Sequence, residues 1–335
     1  MSKTVAVVGA TGAVGAEMIR CLEKSSIDVG ELRVFASERS AGRTVQFGDD
    51  EVTIAALSED AFEGVDIALF ASESDISKKY GAIAARAGAV VVDNSSAFRM
   101  DPDYPLVVPE VNGDLISSET RIIANPNCVA AIMVMALWPL HQAGGVKRVI
   151  ASTYQSASGA GAAAMKELED STRAYLNGES FEPSVLPHPY AFNLFSHNSQ
   201  VGPNGYNTEE MKMIQETRKL LSAPSLRITA TAVRVPVFCG HSESVNIETE
   251  KKLTAQEVRT LLREAPGILL CDEPENNVYP MAIDAVGKDA TLVGRIREDD
   301  SVPNGINLWI VADNLRKGAA LNAVQIAEIL IRDYL

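Results

Sequence analysis

The stretch Val5-Ala6-Val7-Val8, running into Gly9-Ala10-Thr11-Gly12-Ala13-Val14-Gly15, decides how this chain is read. A short run rich in β-branched residues that stops at a glycine is a buried strand. From Ala13 to Leu22 the apolar spacing turns helical. A strand that turns through glycines into a helix opens a βαβ unit, and the N–H groups at such a helix start suit a pyrophosphate. Gly12 leaves no side chain in the way. The spacing is G-x-x-G-x-x-G rather than the usual G-x-G-x-x-G, so a tight, closely packed strand–helix turn is the competing explanation.

Working outward, Leu32–Ala36 and Ile67–Phe70 are further strands, Ile76–Ala87 is a helix and Ala89–Asp93 a fourth strand. This alternation predicts a parallel, doubly wound, Rossmann-like α/β domain up to about Asn125. After the second strand, where NAD sites generally carry an acidic residue for the ribose 2′-hydroxyl, stands Ser37-Glu38-Arg39-Ser40. Two hydroxyls and a guanidinium match a 2′-phosphate. NADP is therefore expected over NAD, provided Glu38 turns to solvent.

Beyond residue 146 the texture changes. Arg148–Gln155, Leu226–Pro236, Glu243–Glu250, Thr291–Arg297 and Ile306–Ala312 are longer, alternating strands, with Pro303-Asn304-Gly305 as a hairpin-type turn between the last two. They predict a second, α+β domain with a mixed or antiparallel sheet. Residues 187–207, rich in Pro, Asn and His without a period, make a long loop of the kind that is functional or interfacial. Asn207 can cap the next helix with Glu210 three residues on. That sets Glu209 and Lys212 on one side of it, where the plain alternative is a surface ion pair. The tail from Gly318 puts Leu321, Val324, Ala327 and Ile331 on one helical stripe, expected to pack on the first domain. The expected division is 1–127, completed by the helix 314–335, and 128–313.

Composition narrows the function. In 335 residues, 46% are hydrophobic and 22% charged, which excludes wholesale disorder. With 30 Lys+Arg against 44 Asp+Glu the formal net charge is −14, a surface that repels nucleic acid and anionic lipid. Any anion site is then a local exception. The start, Met1-Ser2-Lys3-Thr4, leads into too few apolar residues for a signal peptide, and Val129–Leu140 is too short to span a bilayer and contains Pro139. The four cysteines, Cys21, Cys128, Cys239 and Cys271, show no framework spacing, so a reduced, cytoplasmic protein is expected.

One cysteine stands apart. Asn125-Pro126-Asn127-Cys128 runs directly into the apolar helix Val129–Leu137. A thiol at a helix N-terminus feels the positive end of the dipole, which favours the thiolate. A thiolate nucleophile needs a base to complete a cycle, and four histidines compete. His141 reads as a helix-end residue, His188 and His197 lie in the long loop, and His241 follows Cys239-Gly240 beside a strand. Spacing leaves the choice open. No H-E-x-x-H exists, and Cys239-Gly240-His241 cannot fill a tetrahedral shell, so no metal is expected.

Seven motifs occur in order: Gly9–Gly15, Ser95-Ser96-Ala97-Phe98-Arg99, Asn125–Cys128, Tyr154–Gly159, Glu209–Lys212, Arg234–His241 and Asp313–Gly318. Together, over essentially the whole chain, they resemble the aspartate-semialdehyde dehydrogenases of the bacterial type. The resemblance implies NADPH-dependent reductive dephosphorylation of L-aspartyl 4-phosphate to L-aspartate 4-semialdehyde, toward lysine and diaminopimelate, threonine, methionine and isoleucine. It implies Cys128 as the acyl-thioester nucleophile, His241 as acid/base and Gln155 as orienter of the acyl group. Arg234 would hold the α-carboxylate, Glu209 the amino group, and Arg99 and Lys212 the phosphate, while Asn127 or a backbone amide would face the oxyanion. Cofactor contacts would come from Thr11, Gly12, Ala13, Val14, Arg39, Ser40, Ser158, Gly159 and Asn314, beside the Gly9 turn and Ser37 read above. A homodimer is implied as well. A carboxylate such as Glu209 suits a free ammonium, which separates this reading from acyl-phosphate reductases whose substrates are acylated at that nitrogen.

Overall fold

In the computed structural model, which describes residues 2–335, the chain divides into two units. Met1, where the expected first domain begins, lies outside the described residues. The first unit holds the residues up to Asn127 together with Ala319–Leu335, and the second holds Cys128–Gly318. Residues 314–318, expected with the C-terminal helix, lie in the second unit.

The first unit runs β1 (Lys3–Val8), α1 (Ala13–Glu23), β2 (Val29–Ala36), β3 (Thr44–Phe47), β4 (Asp50–Ala56), β5 (Ile67–Phe70), α2 (Ser74–Arg86), β6 (Val90–Asp93), α3 (Pro109–Asn112) and β7 (Ile122–Ala124). Its sheet has the order β3-β4-β2-β1-β5-β6-β7. Every pair is parallel except β3 with β4, a hairpin of two short strands. Leaving that hairpin arm aside, the order is that of a doubly wound dinucleotide fold, with the topological switch at β1. The C-terminal helix (Leu321–Asp333) packs on α1, β5 and β6. Its buried face is wider than the expected stripe: Ala323, Val324, Ile326, Ala327 and Leu330 are buried, while Leu321 and Ile331 are only partly so. Each large apolar side chain buried there contributes about 1.5–3 kcal/mol.

The second unit runs α4 (Cys128–Gly144), β8 (Val146–Gln155), α5 (Ala162–Asn177), β9 (Phe195–Ser196), α6 (Thr208–Leu220), β10 (Arg227–Arg234), β11 (His241–Thr249), α7 (Ala255–Glu264), β12 (Ile268–Leu270), α8 (Ala282–Ala285), β13 (Thr291–Asp299) and β14 (Gly305–Ala312). Its sheet, β12-β13-β14-β11-β8-β10-β9, is mixed: β8–β10 and β12–β13 are parallel, the other pairs antiparallel. Asn304 takes φ 59° in the turn before β14, as a hairpin turn requires. The helix after Cys128 does not stop at Leu137 but continues through Pro139 to Gly144. An interior proline costs about 3 kcal/mol. Every residue from Val129 to Leu137 is buried, and that packing outweighs the lost hydrogen bond. Among the described residues, no helix is long and apolar enough to cross a membrane.

Candidate functional site

In the first unit the nucleotide loop is built from backbone. Gly9 has φ +87°, and a Cβ on it would meet the Ala71 carbonyl oxygen at 2.5 Å; a Cβ on Gly15 would lie 2.2 Å from Gly9 O. Both glycines therefore serve the tight turn. Gly12 is different, for a Cβ on it would meet nothing closer than 3.4 Å. It caps α1 without a side-chain acceptor, and the first turn of α1 carries no acidic residue. The opening N–H groups of a helix have no intrahelical acceptor, so those of Ala13 and Val14 are available to an anion. After β2, residues Glu38–Ser40 form a 3-10 turn. Ser37, Glu38 and Arg39 are exposed and Ser40 is buried, its N–H donating to Ser37 O at 2.8 Å. Glu38 is thus solvated, and the Gly9 cradle with the Arg39 turn fits a dinucleotide.

Arg99 lies in the same unit at the carboxyl ends of the strands, where ligands of such sheets bind. It is buried, its Nε donating to Asn125 O at 2.9 Å and its Nη2 to Asn94 O at 2.6 Å. Asn127 is also buried.

In the second unit, strand register assembles the site. Arg234 on β10 pairs with Gln155 on β8, and the Ser242–Tyr154 pair sets His241 of β11 level with Gln155. Paired residues project to the same face. One row at the end of the sheet therefore carries Arg234, Gln155 and His241, all at most 4% exposed. A Cβ on Gly159 would sit 2.9 Å from His241 Nε2 and 3.2 Å from Arg234 Nη1, so these two side chains converge on the Cβ-free edge of Gly159. Cys128 is the first residue of the 17-residue α4, and its sulfur is near enough to act on the charge of Arg234. A Cβ on Gly318, in the π-helical turn Arg316–Ala320, would approach Cys128 Cβ to 2.9 Å. Gly318 and Gly159 thus make room for the Cys128 and His241 side chains.

The polar wiring is specific. His241 Nδ1 accepts the Ser156 N–H at 3.1 Å. A backbone donor there leaves Nδ1 without a proton, so the neutral ring carries its hydrogen on Nε2, which is buried and has no partner among the described residues. Burial first, then the Arg234 charge, pulls the His241 pKa down to about 3. The ring is a hydrogen-bond donor into the site at neutral pH. Ser156 Oγ and Ser158 Oγ both reach Asn314 Oδ1, at 3.2 and 2.9 Å, and Gly240 N donates to the same oxygen at 3.0 Å. Gln155 Nε2 donates to Glu209 Oε1 at 3.2 Å, and Lys212 Nζ meets Glu209 Oε2 at 3.1 Å. The capping box at Asn207 and Glu210 forms as expected and fixes this turn of α6.

Two residues escape a reading of the sequence. By position His197 is a loop residue suited to an interface. Its N–H instead donates to Ala232 O on β10, and its pKa is drawn down to about 4 by burial, then by Arg234, with Glu209 and Lys212 also acting on it. The loop thus delivers a neutral imidazole to the Arg234–Glu209–Lys212 group. Glu243, opposite Thr153 and one row below His241, is fully buried, and neither carboxyl oxygen has a partner among the described residues. Burial pushes its carboxyl well above the usual carboxylate range. The alternation of β11 foretells its facing inward, but a charged residue in a strand otherwise reads as solvated. His141 sits near the end of α4 as expected, and its Nδ1 accepts the Val146 N–H at 3.1 Å. Among the described residues no group of His, Cys, Asp and Glu could hold a metal.

Comparison with known proteins places the chain in a family. The family model of the semialdehyde dehydrogenase NAD binding domain matches residues 4–119, and that of the semialdehyde dehydrogenase dimerisation domain matches residues 137–317. The aspartate-semialdehyde dehydrogenase of Synechocystis is 50% identical over 327 residues, covering 98% of this chain and 97% of that protein. A crystal structure of aspartate semialdehyde dehydrogenase II from Vibrio cholerae, complexed with ASA, superposes with a TM-score of 0.97 at 46% identity over the whole of both chains. An aspartate semialdehyde dehydrogenase from Candida albicans, solved with NADP, shares the fold at 23% identity, covering 99% of each chain with a TM-score of 0.78. The chain belongs to the aspartate-semialdehyde dehydrogenase family.

Proposed function

We propose that this enzyme catalyses the NADPH-dependent reductive dephosphorylation of L-aspartyl 4-phosphate to L-aspartate 4-semialdehyde, in the cytoplasm and as a homodimer, as a step toward lysine, threonine, methionine and isoleucine. The observation that carries the reading is the single row of Arg234, Gln155 and His241, with the Glu209–Lys212 pair beside it and Cys128 at the start of α4. A substrate with a carboxylate, an ammonium and an acyl phosphate needs this set of groups. Arg234 meets the α-carboxylate bidentately and Glu209 the ammonium. The Cys128 thiolate attacks the acyl carbon, forming a C–S bond as the C–O bond to phosphate breaks. Arg99 and Lys212 take the charge of the leaving phosphate, and Gln155 holds the acyl group.

A bound nicotinamide supplies the hydride that reduces the thioester. The Gly9–Val14 turn, Ser37, Arg39 and Ser40 are assigned to its dinucleotide, and Ser158, Gly159 and Asn314 to its reactive end. His241 then faces the thiohemiacetal oxygen from the donor side, through Nε2–H, and holds its charge until the C–S bond breaks and the aldehyde leaves. Asn127 or a backbone amide is the second donor to that oxygen.

For the dimer, the sheet face opposite the row is the assigned surface. Ser242, Ser244, Trp309, Tyr279, Pro280 and Met281 line a groove of about 620 Å³ there, matching the described role of the dimerisation domain.

The test is nicotinamide absorbance in the reverse direction, with L-aspartate semialdehyde, inorganic phosphate and NADP, then NAD. Phosphate-dependent NADPH formation that disappears in Cys128→Ser is the expected result. Intact NADP binding with no turnover of this substrate would sink the reading and point to a reductase of acylated substrates.

A further inference from the structure

A run of three asparagines in the first unit, two of them fully buried, has no part in this chemistry. Asn322, in the first turn of the C-terminal helix and fully buried, donates from Nδ2 to Asn125 Oδ1 at 2.6 Å and to Val107 O at 2.9 Å. Asn125, just past β7 and equally buried, donates from Nδ2 to Asn94 Oδ1 at 2.7 Å and to Ala319 O at 3.3 Å. Asn94, just past β6, donates to Phe70 O at 3.1 Å, at the end of β5. Each link points the same way, from the helix across the carboxyl ends of three adjacent strands. The main-chain oxygens of Asn125 and Asn94 also accept from the Arg99 guanidinium, at Nε and Nη2.

We propose that Asn322 is a positioning residue for phosphate: through Asn125 and Asn94, the C-terminal helix sets the orientation of Arg99. The proposal rests on the assignment of Arg99 to phosphate made above. Two donor bonds from one planar fork to two fixed carbonyls define the plane of the guanidinium, and bidentate anion recognition depends on that plane. The carbonyls stay fixed only if their residues do, and both residues are tied by their side chains. The two inner members need amides, because Asn125 and Asn94 each accept on one side and donate on the other. Asn125→Asp keeps the size of the side chain but turns a carboxylate oxygen toward Asn94 Oδ1. A partner 197 residues away in sequence therefore bears on a strand-end loop.

The experiment measures KM for inorganic phosphate, aldehyde and NADP in the reverse direction for wild type, Asn322→Ala, Asn125→Asp, Arg99→Lys and Asn322→Ala/Arg99→Lys, with melting temperatures and the dissociation constant of inorganic phosphate by calorimetry. Asn322→Ala and Asn125→Asp should raise the phosphate KM and dissociation constant about tenfold. The other two KM values should stay within about twofold, and Asn322→Ala should add nothing once Arg99 is lysine. If Asn322→Ala does not fold, Asn125→Asp carries the same comparison. A phosphate KM raised in Arg99→Lys but unchanged in both ladder variants would overturn the ladder and leave the Arg99 assignment standing. An unchanged phosphate KM in Arg99→Lys would overturn both. A parallel loss in all three KM values that tracks the melting temperature would reduce Asn322 to a packing residue.

Discussion

The nucleotide loop of the first unit and the acyl site proposed for the second are made from different materials. The loop is backbone: its specificity lies in the φ of Gly9 and in two Cβ positions that nothing could occupy. The acyl site is side chain: it exists because β8, β10 and β11 pair in a register that brings Gln155, Arg234 and His241 level. A backbone site is written in consecutive residues. A register site is scattered over strands and closes only when the sheet does.

That contrast can be broken or sharpened in order of effect. Cys128→Ser should lower turnover on the order of ten-thousand-fold while NADPH affinity stays near wild type, because the proposed nucleophile belongs wholly to the side-chain site. Calorimetric loss of NADPH binding in that variant would erase the distinction. Gly159→Ala comes next. Its Cβ would sit 2.9 Å from His241 Nε2, and displacing the ring by a fraction of an ångström should cost roughly a hundredfold in kcat. A kcat within twofold of wild type would show that the row tolerates what its packing forbids.

Smaller effects belong to the exposed edge of the first unit. Arg39→Ala should weaken NADPH binding about tenfold and leave NADH unchanged, since the lost contact is one charge-assisted hydrogen bond to a 2′-phosphate. Equal weakening of both nucleotides in a titration would remove Arg39 from that role.

Stability against pH sets the smallest differences. Free histidine titrates near 6.5, whereas His197 is held down to about 4 and His241 to about 3. As pH falls below about 6.5 the unfolded chain takes up protons that the native protein refuses, so stability drops. His197→Gln should flatten that decline by a few degrees of melting temperature between pH 7 and pH 5. An unchanged slope would contradict a neutral His197. Glu243 works in the opposite sense. Its native carboxyl stays protonated above the usual 4.5, so stability falls as pH rises past that value, and Glu243→Gln should melt higher at pH 8 yet equal wild type near pH 4. A lower melting temperature at pH 8 would mean that the carboxylate is paired in solution.

Much of the first unit is legible in the sequence because its rules are local. Glycine, β-branched runs and helical spacing act within ten residues or so, and β1, α1, β5 and β6 fall close to where those rules put them. The β3–β4 hairpin escapes because its alternation, Thr44–Phe47 and Glu51–Ile54, runs for only four residues in each strand. In the second unit the strands and the Asn207 cap are legible too. The course of α4 through Pro139 is not, because local propensity forbids what burial on all sides permits.

Neighbours in the chain were enough for the two-part α/β plan, the glycine turn, the helix start at Cys128 and the placing of Glu209 and Lys212 on one side of α6. Only the tertiary structure decided which histidine faces Gly159 and on which nitrogen it carries its hydrogen. Only it brought His197 to Arg234, put Glu243 beneath the row and tied Asn322 to the loop of Arg99. The reason is physical: hydrogen bonds and charge act over a few ångströms, and folding alone sets which distant residues come that close.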